Sequence, residues 1–347
     1  MTLKRIFITS VCSLMLATAS SAQETTQAQA TPQPASINYI PEIHGVVRAR
    51  WLIDTDGGLN RFQVRNARLS AGGRVAKPVD YYMQIDFCNS GKIQFLDAWA
   101  RVAIIPELKI KAGQYRIPFG VDPFRGPANY IFANRSFIGR DIDNIRAVGV
   151  MAEYDFSQFP LTLQGGIFNP TVITDQSTST HEKVWAAKAI VKLGDFSLSG
   201  SFQSIIPDSI RINMADAAIT YRKDRWTAEA EYMYQHYTHD TYKPCHAYNA
   251  YVNYAMPVKL GIFNTLSFQG RFDGSTSHSN GKRNAEGRLT ETNPNRKRIT
   301  IGSMLTYNFK RLRCDFRMNY EKFFYDKGQV VPDERGDRFT AELVVAF

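Results

Sequence analysis

Residues 116–146, RIPFGVDPFRGPANYIFANRSFIGRDIDNIR, gather Arg116, Arg125, Arg135, Arg140 and Arg146 against Asp122, Asp141 and Asp143. Guanidinium stays charged at any physiological pH and offers planar donors to phosphate or carboxylate oxygens. Spaced along a path, such groups replace an anion's hydration shell step by step. Conduction needs this kind of weak, repeated site. The competing reading pairs the arginines with the three aspartates, so that they only hold a loop to a wall. Five positive charges against three negative leave an excess, which favours the first reading.

The same stretch holds Pro118, Pro123, Pro127, Gly120, Gly126 and Gly139, too irregular a set for a hairpin turn. A loop this long in a compact domain is functional or disordered. Phe119, Phe124, Tyr130, Phe132 and Phe137 argue against disorder. We read 116–146 as a constriction loop folded into the lumen of a transmembrane β-barrel.

Other reactive side chains carry weaker signals. Glu229 and Glu231 could suggest acid–base catalysis, but same-face neighbours on a strand are more often lumen charges. His236, His239 and His246 lack a metal-ligand spacing. No GxSxG, HExxH or Walker motif occurs, so neither an enzyme nor a cofactor or metal is expected. Cys88, Cys245 and Cys314 form no disulfide framework, although a Cys88–Cys245 bridge is conceivable. The Tyr-rich runs 232–237 and 248–254 read as interface girdle and lipid-facing wall rather than a sugar-stacking track.

The elements that position the loop come next. The chain has 347 residues and is 44% hydrophobic, with a mean hydropathy of −0.29. That average does not suit a helical membrane protein, but a barrel interleaves lipid-facing and polar residues and escapes the test. Residues 1–22 read as a signal peptide, with Lys4 and Arg5, an apolar run Ile6–Ala17 and Ser20-Ser21-Ala22 before the cut. Residues 23–37 read as a flexible lead-in, and 38–347 as the barrel. Net charge is +10, or +8 after the two basic residues of the signal leave. For an exported chain this points to small anionic solutes rather than nucleic acid.

Segments of alternating polarity fill the remainder, separated by turn residues. In the first, 43–53, Val47, Ala49, Trp51 and Ile53 oppose Arg48 and Arg50. The second, 61–71, slips phase near Asn66, which suggests a bulge and turns Arg65 and Arg68 inward. In 94–104, Leu96, Ala98, Ala100 and Val102 point out, while Asp97, Trp99 and Arg101 point in. Arg48, Arg50, Arg65, Arg68, Arg101 and Lys111 then form a secondary set of lumen cations, with Lys188, Arg222, Arg271 and Arg317 elsewhere on the wall. Asp86, Asp97, Glu153, Glu229, Glu231, Asp315, Glu321 and Glu342 are the inward acids. Ordinary cross-strand pairing accounts for most of this mix. Arg288, Arg296 and Arg298 fall in or beside the segment 274–297, where the passage should be wider.

Sixteen such strands can be counted, an even number, with both termini on the periplasmic side. Long polar connections alternate with tight ones, as when loops of one parity face outside the cell. Segment 116–146 has the outward parity. The last strand alternates to a terminal Phe347.

GQYRIPFG at 113–120 resembles the signature of the phosphate-selective porin O/P family. FQVRNARLSAGG at 62–73, YYMQIDF at 81–87, LDAWARV at 96–102 and NRSFIGRDIDNIRAVGV at 134–150 extend the resemblance over roughly 60–155. It implies a sixteen-stranded antiparallel barrel of the bacterial outer membrane, surrounded by lipid and usually a homotrimer. Its third external loop would fold inward with arginines along the anion path. The resemblance implies passive diffusion of phosphate or polyphosphate. Two features differ: Ile142–Ala147 separate Arg140-Asp141 from Gly149-Val150, and the loops after residue 200 lack a dense lysine cluster. Rival readings are a general diffusion porin with little selectivity, a barrel enzyme, and a structural barrel plugged by 116–146.

Overall fold

The computed structural model describes residues 39–89, 91–141, 146–175, 181–207, 210–326 and 336–347. The expected signal peptide, the lead-in and Asp143 lie outside these residues. Sixteen strands alternate with turns: β1 Glu42–Asp54, β2 Asn60–Ala76, β3 Val79–Asn89, β4 Lys92–Ala103, β5 Leu108–Arg116, β6 Arg146–Asp155, β7 Leu161–Phe168 and β8 Val184–Leu193. The second half continues with β9 Phe196–Ile205, β10 Ile212–Lys223, β11 Trp226–Tyr237, β12 Cys245–Leu260, β13 Phe263–Ser275, β14 Arg296–Phe309, β15 Leu312–Tyr325 and β16 Arg338–Ala346. Each strand pairs antiparallel with its sequence neighbours, and β1 closes on β16. Among the described residues, no helix is long and apolar enough to cross a membrane.

Period-two patterning decides which side chains face out. Along β1, Val47 and Trp51 are exposed while Arg48 is buried. Along β15, Asp315, Arg317, Asn319 and Glu321 are all buried. Apolar side chains therefore cover the outside, and the closed ladder leaves no strand edge unpaired.

Two of the bulges bear on how the sequence reads. Arg48 pairs with Asn66 and Ala49 with Val64, so Arg65 is the extra residue of β2, as its phase slip suggested. Gln84 pairs with Asp97 and Ile85 with Phe95, which makes Leu96 the extra residue of β4. Leu96 is consequently buried, and Phe95 takes the outward place expected for it. A one-residue insertion flips every side chain beyond it, and the alternation of 94–104 alone did not reveal that insertion. The rhythm of connections has one exception: β3 and β4 join through residues 90–91 alone, although that turn has the outward parity.

The connection from β5 to β6 is organised rather than extended. Pro123 and Pro127 sit in two short 3-10 turns, Asp122–Phe124 and Pro127–Asn129, where fixed φ and the missing N–H suit an opening turn. A single helical turn, α1, follows at Phe137–Asp141. Arg116 and Arg146, read as loop residues, are instead the paired ends of β5 and β6. An apolar cluster of Tyr115, Ile117, Phe119, Ile138, Met151 and Phe168 packs the segment against β5–β7. Hydrogen bonds from the polar faces of β1, β11, β13 and β15 reach the same segment.

Candidate functional site

The segment is held from two sides. Near its start, the backbone N–H groups of Val121 and Asp122 donate to Glu231 of β11, and Lys188 of β8 donates to the Gly120 carbonyl. The Gly120 N–H donates to Ser201 Oγ at 2.9 Å. Asp122 then links the first turn to α1. Its carboxylate accepts from Ser136 N at 3.1 Å, Ser136 Oγ at 2.8 Å and Arg125 Nη1 at 3.0 Å. A Cβ on Gly139 would lie 2.0 Å from Asp122 Oδ2, so only glycine allows this approach.

On the far side, three consecutive carbonyls each accept from a different wall arginine. Arg48 of β1 donates to Ala133 O at 2.7 Å, Arg271 of β13 to Asn134 O at 2.8 Å, and Arg298 of β14 to Arg135 O at 2.7 Å. The Ala133 N–H donates back to Asn319 Oδ1 at 2.6 Å, and Phe137 N to Asp273 Oδ2 at 3.0 Å. The wall arginines are balanced by carboxylates. Arg298 pairs with Asp273 and Glu321, and Arg48 and Arg317 share Glu342. Pairs this deeply buried resist loss of one member, because the other is left charged without water.

The five loop arginines divide by the kind of oxygen they meet. Arg125 pairs with Asp122 and with Glu229, and Arg146 makes a two-armed bond to Asp97 at 3.0 and 3.1 Å. Arg116 donates to the carbonyls of Pro123 and Arg125, both at 2.8 Å. Arg135 donates to Tyr130 Oη at 2.5 Å, Arg125 O at 2.7 Å and Gly139 O at 3.0 Å. Arg116, Arg125 and Arg135 thus meet at one carbonyl. Arg140 is exposed in α1.

The secondary set divides similarly. Arg48 pairs with Glu342, Arg68 with Asp86 and Arg101 with Asp80. Arg50 donates to amide oxygens, Gln63 Oε1 and Asn134 Oδ1, both at 2.9 Å. Arg65 is half-buried at the bulge. Lys111 lies over the rings of Trp99 and Tyr115. Among the described residues no carboxylate lies within 4.0 Å of Arg50, Arg116, Arg135 or Lys111, the ion-pair distance met by Arg48, Arg68, Arg101, Arg125 and Arg146. Neutral acceptors aim a guanidinium without cancelling its charge.

Burial would push the Asp122 carboxyl up, but Arg125 and Arg135 beside it outweigh burial and hold it below the usual carboxylate range. Burial likewise opposes the charge on Arg125, and the Glu229 carboxylate outweighs it, raising its pKa above the ordinary arginine value.

Several residues carry roles that the sequence reading did not assign. Tyr251, placed with girdle and lipid-facing wall, is buried on the inner face of β12, with its ring edge-on to Phe132 and below Arg125. Its parity with Asn249 and Asn253 was the available signal. Arg298, expected beside a wide external segment, is fully buried against the loop. Glu229 and Glu231 hold Arg125 and the loop backbone. Cys88, Cys245 and Cys314 are unbridged thiols, on strands β3, β12 and β15. His246 meets Tyr232, His236 lies beside Asp240, and no metal-holding cluster occurs among the described residues.

A closed sixteen-strand antiparallel barrel, apolar outside and charged within, defines a porin-type channel of the bacterial outer membrane. The family model for phosphate-selective porin O and P matches residues 52–193, from within β1 to the end of β8, and bears out the resemblance carried by GQYRIPFG. No curated protein matches the chain by sequence. Among solved structures, the fold is similar to OmpF of Salmonella typhi in complex with daunomycin, with a TM-score of 0.63 at 14% identity over 88% of this chain and 97% of that one. It is also similar to the anion-selective porin of Comamonas acidovorans, at 0.59 and 11% over 88% and 98%. OmpT of Vibrio cholerae, in its trimer form, gives 0.60 and 11% over 88% and 99%.

Proposed function

We propose that this outer-membrane channel passes small anions, phosphate among them, through a passage narrowed by residues 116–146. The reading rests above all on Arg50, Arg116 and Arg135. Their guanidiniums are fixed by neutral oxygens and carry a charge that no carboxylate at ion-pair distance balances, unlike the paired arginines around them. In a narrow passage with low-dielectric walls, such a charge lowers the energy of an anion and raises that of a cation. Bonds to the loop from β1, β11, β13 and β15 support its position inside the barrel. Lipid surrounds the exposed apolar face, and a homotrimer is the assembly we favour.

The test is the reversal potential of single channels across a KCl gradient in a planar bilayer. An anion-selective sign is expected. A value near zero favours a general diffusion pore, and absence of single-channel steps removes the channel reading.

A further inference from the structure

Trp99 is set apart from the other tryptophans. Trp51, Trp185 and Trp226 are exposed on outward-facing positions, whereas Trp99 shares its parity with Asp97 and Arg101 on the inner face of β4. It is half-buried and stacks on Tyr82 of β3, with ring centroids 5.6 Å apart and planes 25° from parallel. Across the ladder it meets Gly113 of β5. That glycine has φ +126°, and a Cβ there would lie 2.7 Å from Trp99 Cα, so β5 brings no side chain from the position opposite Trp99. The stacked Tyr82–Trp99 pair is thus bordered on β5 by the Gly113 backbone and by Lys111 two residues before it.

The cations around it are not equivalent. Arg101 lies 5.7 Å from the Trp99 ring centroid but is paired with Asp80 at 2.7 Å. Lys109 is paired with Asp155 at 2.6 Å and reaches Glu153 at 3.5 Å. Lys111 has no such partner among the described residues. Its ammonium is 4.7 Å from the Trp99 ring and 4.9 Å from that of Tyr115, whose hydroxyl donates to the Lys111 carbonyl at 3.2 Å. Aromatic faces hold an ammonium in place but leave its charge unneutralised. The local surplus therefore sits at one atom, next to a flat apolar surface.

We propose that Tyr82, Trp99 and Lys111 form a lumenal subsite for an organic anion with a flat apolar face, an aromatic carboxylate. The ring lies on the Tyr82–Trp99 platform and the carboxylate meets Lys111. An inorganic anion uses the charge alone and gains nothing from the rings. The subsite rests on the proposed passage of anions and adds a class of solute to it.

The probe is benzoate. Replacing Trp51, Trp185 and Trp226 by Phe leaves Trp99 as the single emitter in the purified, folded barrel. Titrating benzoate should change its fluorescence saturably, while inorganic phosphate at equal ionic strength should not. Lys111→Met, which keeps length and removes charge, should raise the apparent dissociation constant on the order of tenfold. Tyr82→Leu should raise it severalfold. Heat-modifiable migration on gels checks that each variant is folded. Unchanged emission in benzoate, equal binding by Lys111→Met, or an equal response to phosphate would each overturn the subsite. The reversal potential without benzoate is a separate measurement. It can stay anion-selective while the subsite fails, or lose that sign while benzoate still binds.

Discussion

Arg298 Nη2 donates to the carbonyl oxygen of Arg135 at 2.7 Å. A wall arginine neutralised by Asp273 and Glu321 thus grips the loop at the residue whose own guanidinium keeps its charge. In the proposed passage, holding and selecting are divided between two arginines in direct contact.

Replacing Arg298 should therefore loosen the loop. Arg298→Met removes the nearer of the two arginines that Asp273 and Glu321 share, leaving Arg271 at 3.6 and 3.3 Å, at a cost of up to about 3–5 kcal/mol. A lower temperature of heat-modifiability is expected, together with noisier open-channel current. An unchanged transition temperature and a quiet current would show that Arg298 does not restrain the loop.

Selectivity should follow the three uncompensated arginines. Arg50→Gln, Arg116→Gln and Arg135→Gln together keep donors in place but remove three positive charges. The ratio of anion to cation permeability should fall towards unity, with conductance similar or higher. The control is the triple change of Lys282, Arg288 and Lys297 to Gln, which are exposed residues of the external segment and its neighbour strand. Salt screens such charges, so the control should shift the ratio less. A control that shifts it equally would place the filter elsewhere.

The link that Asp122 makes between the first turn and α1 should be insensitive to moderate acid. The Asp122 pKa is depressed in the folded state. For such a group the stabilisation is fully present above the unfolded value, about 3.9, and is lost as pH falls through the folded value. Hydrogen-exchange protection of the Ser136 amide, which donates to Asp122, should hold from pH 7 down to about 4 and decline only below that. A change centred near pH 6 would assign the transition to some other group.

Deleting Phe347 should impair assembly while leaving synthesis and export intact. Its N–H and carbonyl exchange bonds with Gly45 at 3.0 and 2.9 Å, adding a last pair to the β1–β16 ladder. Normal outer-membrane levels of the truncated chain would show that the terminal residue is dispensable.

Most of the barrel was legible because an apolar outer face and a charged inner face impose a period of two on the strands. Even the bulge of β2 could be read, since Arg65 interrupts an otherwise regular run. The bulge at Leu96 could not, because an apolar residue in the extra position still resembles an outward one. The arginine-rich loop was legible by type and count. Which of its charges survive was not, because that depends on partners far away in sequence, such as Glu229 for Arg125. Asp97 was marked only as an inward acid, and its pairing with Arg146 emerges from a contact across three strands. Arg298 was misjudged for a different reason. It borders a long external segment in sequence, but β14 already runs inside the wall at that point.

The closure of β1 on β16 sets the order in which this molecule can be made. Every other hairpin can zip as its two strands emerge, but this seam joins residues about as far apart as the chain allows. Until it forms, two long strands carry open edges, which invite pairing with other chains. The Arg48–Glu342 bond spans 294 positions and lies beside the paired row of Arg50 and Glu342. Sliding β16 by a single residue would turn Glu342 towards lipid and strand Arg48. One ion pair can therefore act as a proofreader of the final seam, rejecting a misaligned ring before it is sealed.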